Sequence, residues 1–137
     1  TAEFPINVAT AREAASHGEA IVFGAPNVVR GGSHLDCPGA EEMVRAGLCT
    51  ILASDYYYPA LPLAPFLLAR RGAASFADAW ALVSRAPAAA LGLHDRGVIA
   101  PGKRADLVLV EDAPHPRIVA TIAGGRLVHL AEPRLLR

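Results

Sequence analysis

Two short apolar runs constrain this chain more than anything else in it. Ala20 to Ala25 (AIVFGA) and Cys49 to Ser54 (CTILAS) are rich in aliphatic side chains, and neither alternates polar with apolar. A strand of that kind has to be covered on both faces, as when helices pack on both sides of a parallel sheet. Helix signals lie around both runs. Thr10 and Glu13 have capping-box spacing, which predicts a helix from Thr10 to about His17, stopped by Gly18. Pro26 and Asn27 end the first run, and Val28 to Cys37 reads as a loop. Pro38 suits the first turn of another helix, with Glu41 and Glu42 near its positive end and Gly47 closing it. After the second run come Asp55, the turn Tyr56-Tyr57-Tyr58-Pro59 and a predicted helix over about Leu61 to Arg71. Ser75 and Asp78 open a further helix through about Arg85, and Pro87 restarts a short one that ends at Gly92.

From Leu93 onward the pattern changes. Pro101-Gly102 is a turn, Asp106 to Val110 reads as a strand, and Ile118 to Ala123 and Arg126 to Leu130 flank Gly124-Gly125, a two-residue hairpin signal. The expected organisation is therefore α/β over residues 1–92 and an all-β tail over 93–137.

Composition narrows the partners. The chain has 137 residues, is 53% hydrophobic and 19% charged, and carries 13 basic against 13 acidic side chains. That suits a packed core and gives no positive field for nucleic acid. Pro62 and Pro65 break the most apolar stretch, Ala60 to Ala69, so no membrane partner is expected. Cys37 and Cys49 match no common zinc spacing and are read as reduced thiols of a cytoplasmic protein. The chain opens at Thr1 rather than Met and reads as cut from a longer one.

Chemistry can sit in two places. Asp55 stands at the C-terminal end of a buried strand, where α/β barrels carry their sites. A carboxylate there can ligate a metal and accept a proton from water, and it can equally cap a turn. Arg30-Gly31-Gly32-Ser33-His34 offers a planar guanidinium, close backbone approach, a hydroxyl and an imidazole, which suits phosphate. An ordinary Gly-Gly surface turn would read the same way. Tyr56, Tyr57 and Tyr58 follow Asp55; one is expected to offer its hydroxyl to substrate and two to pack on the rim. There is no H-x-H, H-E-x-x-H, phosphate-binding Walker loop or G-x-S-x-G.

Two segments carry a family resemblance. Gly92 to Val110 (GLHDRGVIAPGKRADLVLV), with the Gly124-Gly125 hairpin behind it, resembles the closing segment of the amidohydrolase superfamily, where the chain leaves a (β/α)8 barrel for a small β-sandwich. Gly24 to His34 (GAPNVVRGGSH) together with Leu52-Ala53-Ser54-Asp55-Tyr56 resembles one branch, the PhnM family, whose members hydrolyse α-D-ribose 1-methylphosphonate 5-triphosphate and release diphosphate. After His34 this chain has Leu35-Asp36-Cys37-Pro38 where that family commonly has Ser-Gly-Asn, and Tyr57-Tyr58 replaces Val-Pro.

The resemblance implies that Asp55 is a metal ligand and the proton acceptor for the attacking water, with a divalent ion, zinc, as cofactor. Arg30, Gly31, Gly32, Ser33, His34 and Tyr56 would face a small phosphorylated substrate. The remaining ligands of the superfamily lie upstream of anything in this sequence. This chain alone is therefore expected to be inactive and to hold no metal tightly. Uncovered apolar surface and a free parallel edge predict a homo-oligomer. Two other functions fit the same residues: a deaminase or cyclic amidase of the superfamily, or a non-catalytic fragment or interaction module.

Overall fold

The computed structural model describes residues 1–32 and 37–131. A three-stranded parallel sheet comes first, with β1 at Ala2–Glu3, β2 at Ile21–Gly24 and β3 at Ile51–Ala53, in the order β1-β2-β3. All four residues of β2 are buried, as a strand covered on both faces requires. The strands are shorter than the apolar runs that predict them, and β1 was not foreseen at all.

Helix α1 spans Val8–Ser16 and begins two residues before the expected capping box. Asn7 is the cap: its Oδ1 accepts from the Thr10 backbone N–H at 2.8 Å and from the Thr10 hydroxyl at 3.0 Å. Glu13 turns instead to His17, 3.0 Å away. Helix α2, Ala25–Arg30, corrects a larger error, because Val28 to Arg30 were expected in a loop. Pro26 sits in its first turn, where a missing N–H costs nothing, and Gly31 at φ 83° ends it in the left-handed conformation. Helix α3 is Ala40–Arg45 and α4 is Ala60–Arg70.

The helix expected from Ser75 to about Arg85 ends early, at Ala81, and the short helix expected to restart at Pro87 begins at Arg85. In α5, Phe76–Ala81, Ser75 Oγ accepts from the Asp78 N–H at 3.1 Å as the spacing predicts. The chain then breaks before α6, Arg85–Ala90. Two causes act together. Pro87 has no N–H for the Val83 carbonyl, and the Leu82 carbonyl accepts from Leu52 N–H of β3 at 3.0 Å. Ile21, Phe23, Val28, Met43, Leu52 and Leu68 form the centre of the core between these helices and the sheet.

The second sheet is an antiparallel meander of β4 (Leu107–Glu111), β5 (Arg117–Ala123) and β6 (Arg126–Leu130), in the order β4-β5-β6. Gly124 and Gly125 both have positive φ, 56° and 78°, which is the two-residue hairpin geometry their sequence announced. Within the Gly92 to Val110 segment, residues 104–106 hold this hairpin in place. Asp106 Oδ1 accepts from the Gly124 N–H at 2.7 Å and from Arg104 Nε at 2.9 Å, and Gly125 N–H donates to the Ala105 carbonyl at 2.9 Å. The Gly124 amide first, then Arg104 and Arg96, hold the Asp106 carboxyl below its usual range. No helix among the described residues is long and apolar enough to cross a membrane.

Candidate functional site

The C-terminal ends of the three parallel strands converge on Gly24. A Cβ placed there would lie 3.4 Å from Asp55 Oδ2 and 3.4 Å from Phe4 Cε1, so the carboxylate and the ring both pack over this position. Phe4 follows β1, Gly24 closes β2 and Asp55 follows β3. Among the described residues, Phe4 (φ 50°) and Asp55 (φ 51°) are the non-glycine residues with positive φ. Such backbone costs of order 1–3 kcal/mol and concentrates at functional sites. Asp55 is exposed at the rim and opens a turn in which the Tyr57 N–H donates to the Ser54 carbonyl at 3.1 Å.

Arg30 comes from the other side, at the end of α2. One guanidinium nitrogen donates to the Tyr56 hydroxyl and another to Asn27 Oδ1 at 2.8 Å. The guanidinium carbon also lies 5.6 Å from the Tyr56 ring centroid. The structure therefore joins Arg30 to Tyr56, the neighbour of Asp55, although 26 residues separate them in sequence. Tyr57 and Tyr58, expected to pack on the rim, are instead 44% and 78% exposed.

Gly31 and Gly32 border a hollow of about 460 Å³ shared with Asn27, Glu41, Glu42 and Arg45. Their backbone N–H groups both donate to the Asn27 carbonyl at 3.1 Å. Those amides close the helix, so the anion-holding chemistry at this end rests on the Arg30 side chain. Ser33 and His34 lie outside the described residues. Asn27 is the participant that sequence reasoning missed. The signal was available, since Pro just inside a helix start and Gly just past its end predict α2 and put Asn27 one turn below Gly31.

A larger cavity lies elsewhere. About 870 Å³ opens between the ring cluster Phe66, Phe76 and Trp80 and the inner face of β4 and β5, lined by Val108, Val110 and Ile122. Its carboxylates are already engaged, Asp106 with the hairpin and Asp112 with Arg70 at 2.7 Å. Chemistry therefore favours the strand ends over the larger space.

Asp55 is a suitable oxygen donor for a divalent ion, but one donor is not a site. Among the described residues no group of three or more His, Cys, Asp or Glu could hold a metal ion. His17, His94, His115 and His129 contribute to none. These residues on their own do not fit a complete metal centre.

Comparison with known proteins agrees with the fold and adds relatives. The model of the Amidohydrolase family matches residues 17–129. The α-D-ribose 1-methylphosphonate 5-triphosphate diphosphatase of Escherichia coli (strain K12) is 48% identical over 110 residues, which is 79% of this chain and 29% of that protein. An adenine deaminase of Deinococcus radiodurans is 55% identical over 49 residues, 36% of this chain and 9% of its own length. A solved amidohydrolase from Thermotoga maritima MSB8 superposes with a TM-score of 0.56 at 23% identity, covering 90% of this chain and 40% of that structure. The chain thus spans less than a third of the length of these two curated relatives.

Proposed function

The chain belongs to the amidohydrolase family, and on that premise we propose that its function is the hydrolytic release of diphosphate from α-D-ribose 1-methylphosphonate 5-triphosphate in phosphonate catabolism. The observation that carries this reading is the 48% identity to the diphosphatase over 79% of the chain. The pairing of Arg30 with Tyr56, the chain neighbour of Asp55, supports it, because a guanidinium suits an anionic substrate and a carboxylate suits an attacking water. In this reading the parallel sheet, residues 1–92, is the C-terminal part of a (β/α)8 barrel, and residues 93–137 belong to a β-sandwich. The protein is cytoplasmic and homo-oligomeric, and its substrate is a small phosphorylated molecule.

The roles follow from position. Asp55 accepts a proton from the water that attacks phosphorus, and diphosphate leaves. Arg30 holds phosphate oxygens and offsets the charge that develops on them. Members of this superfamily are generally metal-dependent. A divalent ion, zinc in this reading, would use Asp55 as one donor with further donors from residues other than those described, and it would supply an acidified water.

The deaminase relatives favour a second reading, in which the same carboxylate serves an attack on a base. Both are tested on the full-length protein. Asp55→Asn should lower diphosphate release from the triphosphate by roughly 10²–10⁴-fold. Near-normal turnover in the variant, or turnover of adenine in place of the triphosphate by the unaltered protein, would overturn the first reading.

A further inference from the structure

Asn27 holds both parts of the Arg30 region. Its backbone carbonyl accepts from the Gly31 and Gly32 N–H groups, each at 3.1 Å, and its Oδ1 accepts from the Arg30 guanidinium at 2.8 Å. The half-buried Asn27 is anchored in α2, whereas Arg30 is exposed. A long side chain at the surface ordinarily samples many rotamers, and binding through it costs the entropy of fixing one. Here the fork is fixed from two sides, by Asn27 Oδ1 and by the Tyr56 hydroxyl, with the Tyr56 ring 5.6 Å from the guanidinium carbon.

The direction of these bonds matters. A phenolic hydroxyl has one proton and can accept through its lone pairs. The Tyr56 oxygen accepts from Arg30, since a guanidinium can only donate. The hydroxyl proton is therefore left to be donated, and a chain that runs from a cation through a hydroxyl is polarised towards an anionic acceptor. A phosphate oxygen is the acceptor class that completes it.

We infer that Asn27 is a positioning residue and that Asn27, Arg30 and Tyr56 act as one preorganised phosphate-recognition unit, with the Tyr56 hydroxyl as a donor to the phosphate oxygens. This rests on the reading of Arg30 as the group that holds phosphate. The Arg30–Tyr56 contact is not visible in the linear sequence, where Asn27 reads as a strand breaker and Tyr56 is expected to face the substrate without a link to Arg30.

The test is calorimetric titration of the full-length protein with inorganic triphosphate in metal-free buffer, so that the side chains rather than a bound ion are read. Loss of one charge-assisted hydrogen bond weakens binding roughly tenfold. Tyr56→Phe keeps the ring beneath the guanidinium and should show that loss with an unchanged melting temperature. Asn27→Ala should weaken binding to a similar degree, yet have no further effect in an Arg30→Ala background, because it acts through that side chain. Full additivity of the Asn27 and Arg30 effects would overturn the positioning role. If Arg30→Ala weakens binding while Asn27→Ala or Tyr56→Phe binds as the unaltered protein does, the unit is refuted and the phosphate reading stands. If Arg30→Ala binds triphosphate unchanged, the phosphate reading itself fails and this inference falls with it.

Discussion

Asp55 carries a backbone conformation that a residue with a side chain adopts at a cost, and it does so beside another such residue, Phe4. The carboxylate and the ring both lie over Gly24, so the three positions constrain one another. Gly97 is a second single position on which much depends. A Cβ there would lie 2.7 Å from Ala88 Cβ and 3.1 Å from the Ser84 carbonyl, at a φ of 89°. Neither neighbour can yield cheaply, as both belong to the start and interior of α6. Gly97→Ala should therefore destabilise the protein by roughly 2–4 kcal/mol, combining backbone strain with overpacking. Urea denaturation would measure it, and a loss below about 0.5 kcal/mol would refute the packing argument. Cys49 shows the opposite insulation: burial pushes its thiol up to about 12, which keeps it an unreactive core residue.

Helices α2, α3 and α4 are tied by arginine rather than by apolar contact alone. Glu41 of α3 accepts from Arg45 at 2.9 Å and from Arg71 at 2.8 Å, while Arg71 also donates to the Val28 carbonyl of α2 at 2.8 Å. Arg45 donates in turn to the Arg71 and Gly72 carbonyls at the end of α4. The hydrogen bond from Arg71, and then that from Arg45, hold the Glu41 carboxyl below its usual value of 4.5. A carboxyl with a depressed folded-state pKa stabilises the fold above its unfolded value, and that contribution disappears as pH falls through the folded value. Glu41→Gln should thus be less stable than the parent at neutral pH, by under about 1 kcal/mol for so exposed a network. The difference should shrink as pH drops below 4.5. Denaturation curves at neutral and acidic pH would check this, and a pH-independent difference would count against it. The same network gives the Val28 carbonyl, near the C-terminal end of α2, a partner across the fold.

Arg70, the last residue of α4, is tied to the loop between β4 and β5. It donates to Asp112 Oδ1 at 2.7 Å and to the Pro114 carbonyl at 2.9 Å, and it lies 5.8 Å from the centroid of the Phe66 ring. The aromatic cluster beneath it leaves the apolar cavity on the inner face of β4 and β5 only partly filled. Ile99, which also lines that cavity, and Ile6, Leu91 and Val128, which do not, are each more than 60% exposed. Exposed aliphatic surface associates in water where it forms a contiguous patch. In solution the 137-residue chain should scatter light as a species heavier than its 14.3 kDa monomer, and a monomeric mass across a concentration series would refute that.

What could be read from the residues was the period and punctuation of the chain. Unbroken apolar runs gave β2 and β3 but not β1, Ser75 gave the α5 cap and Gly124-Gly125 gave the hairpin. These are local effects, settled by side-chain chemistry within a few positions. The position of Asp55 just past a strand was also apparent, because a carboxylate after a buried run marks that strand's end. The start of α1 is local too, set by Asn7, whose Oδ1 accepts from the Thr10 N–H and hydroxyl three residues on. Two things depended on distant contacts. The end of α5 at Ala81, short of Arg85, goes with the Leu52 N–H of β3 taking the Leu82 carbonyl. The pairing of Arg30 with Tyr56 exists only once α2 and the turn after β3 lie side by side, and no spacing rule spans 26 residues. Local propensity selected the elements, and packing decided which side chains meet at the ends of the strands.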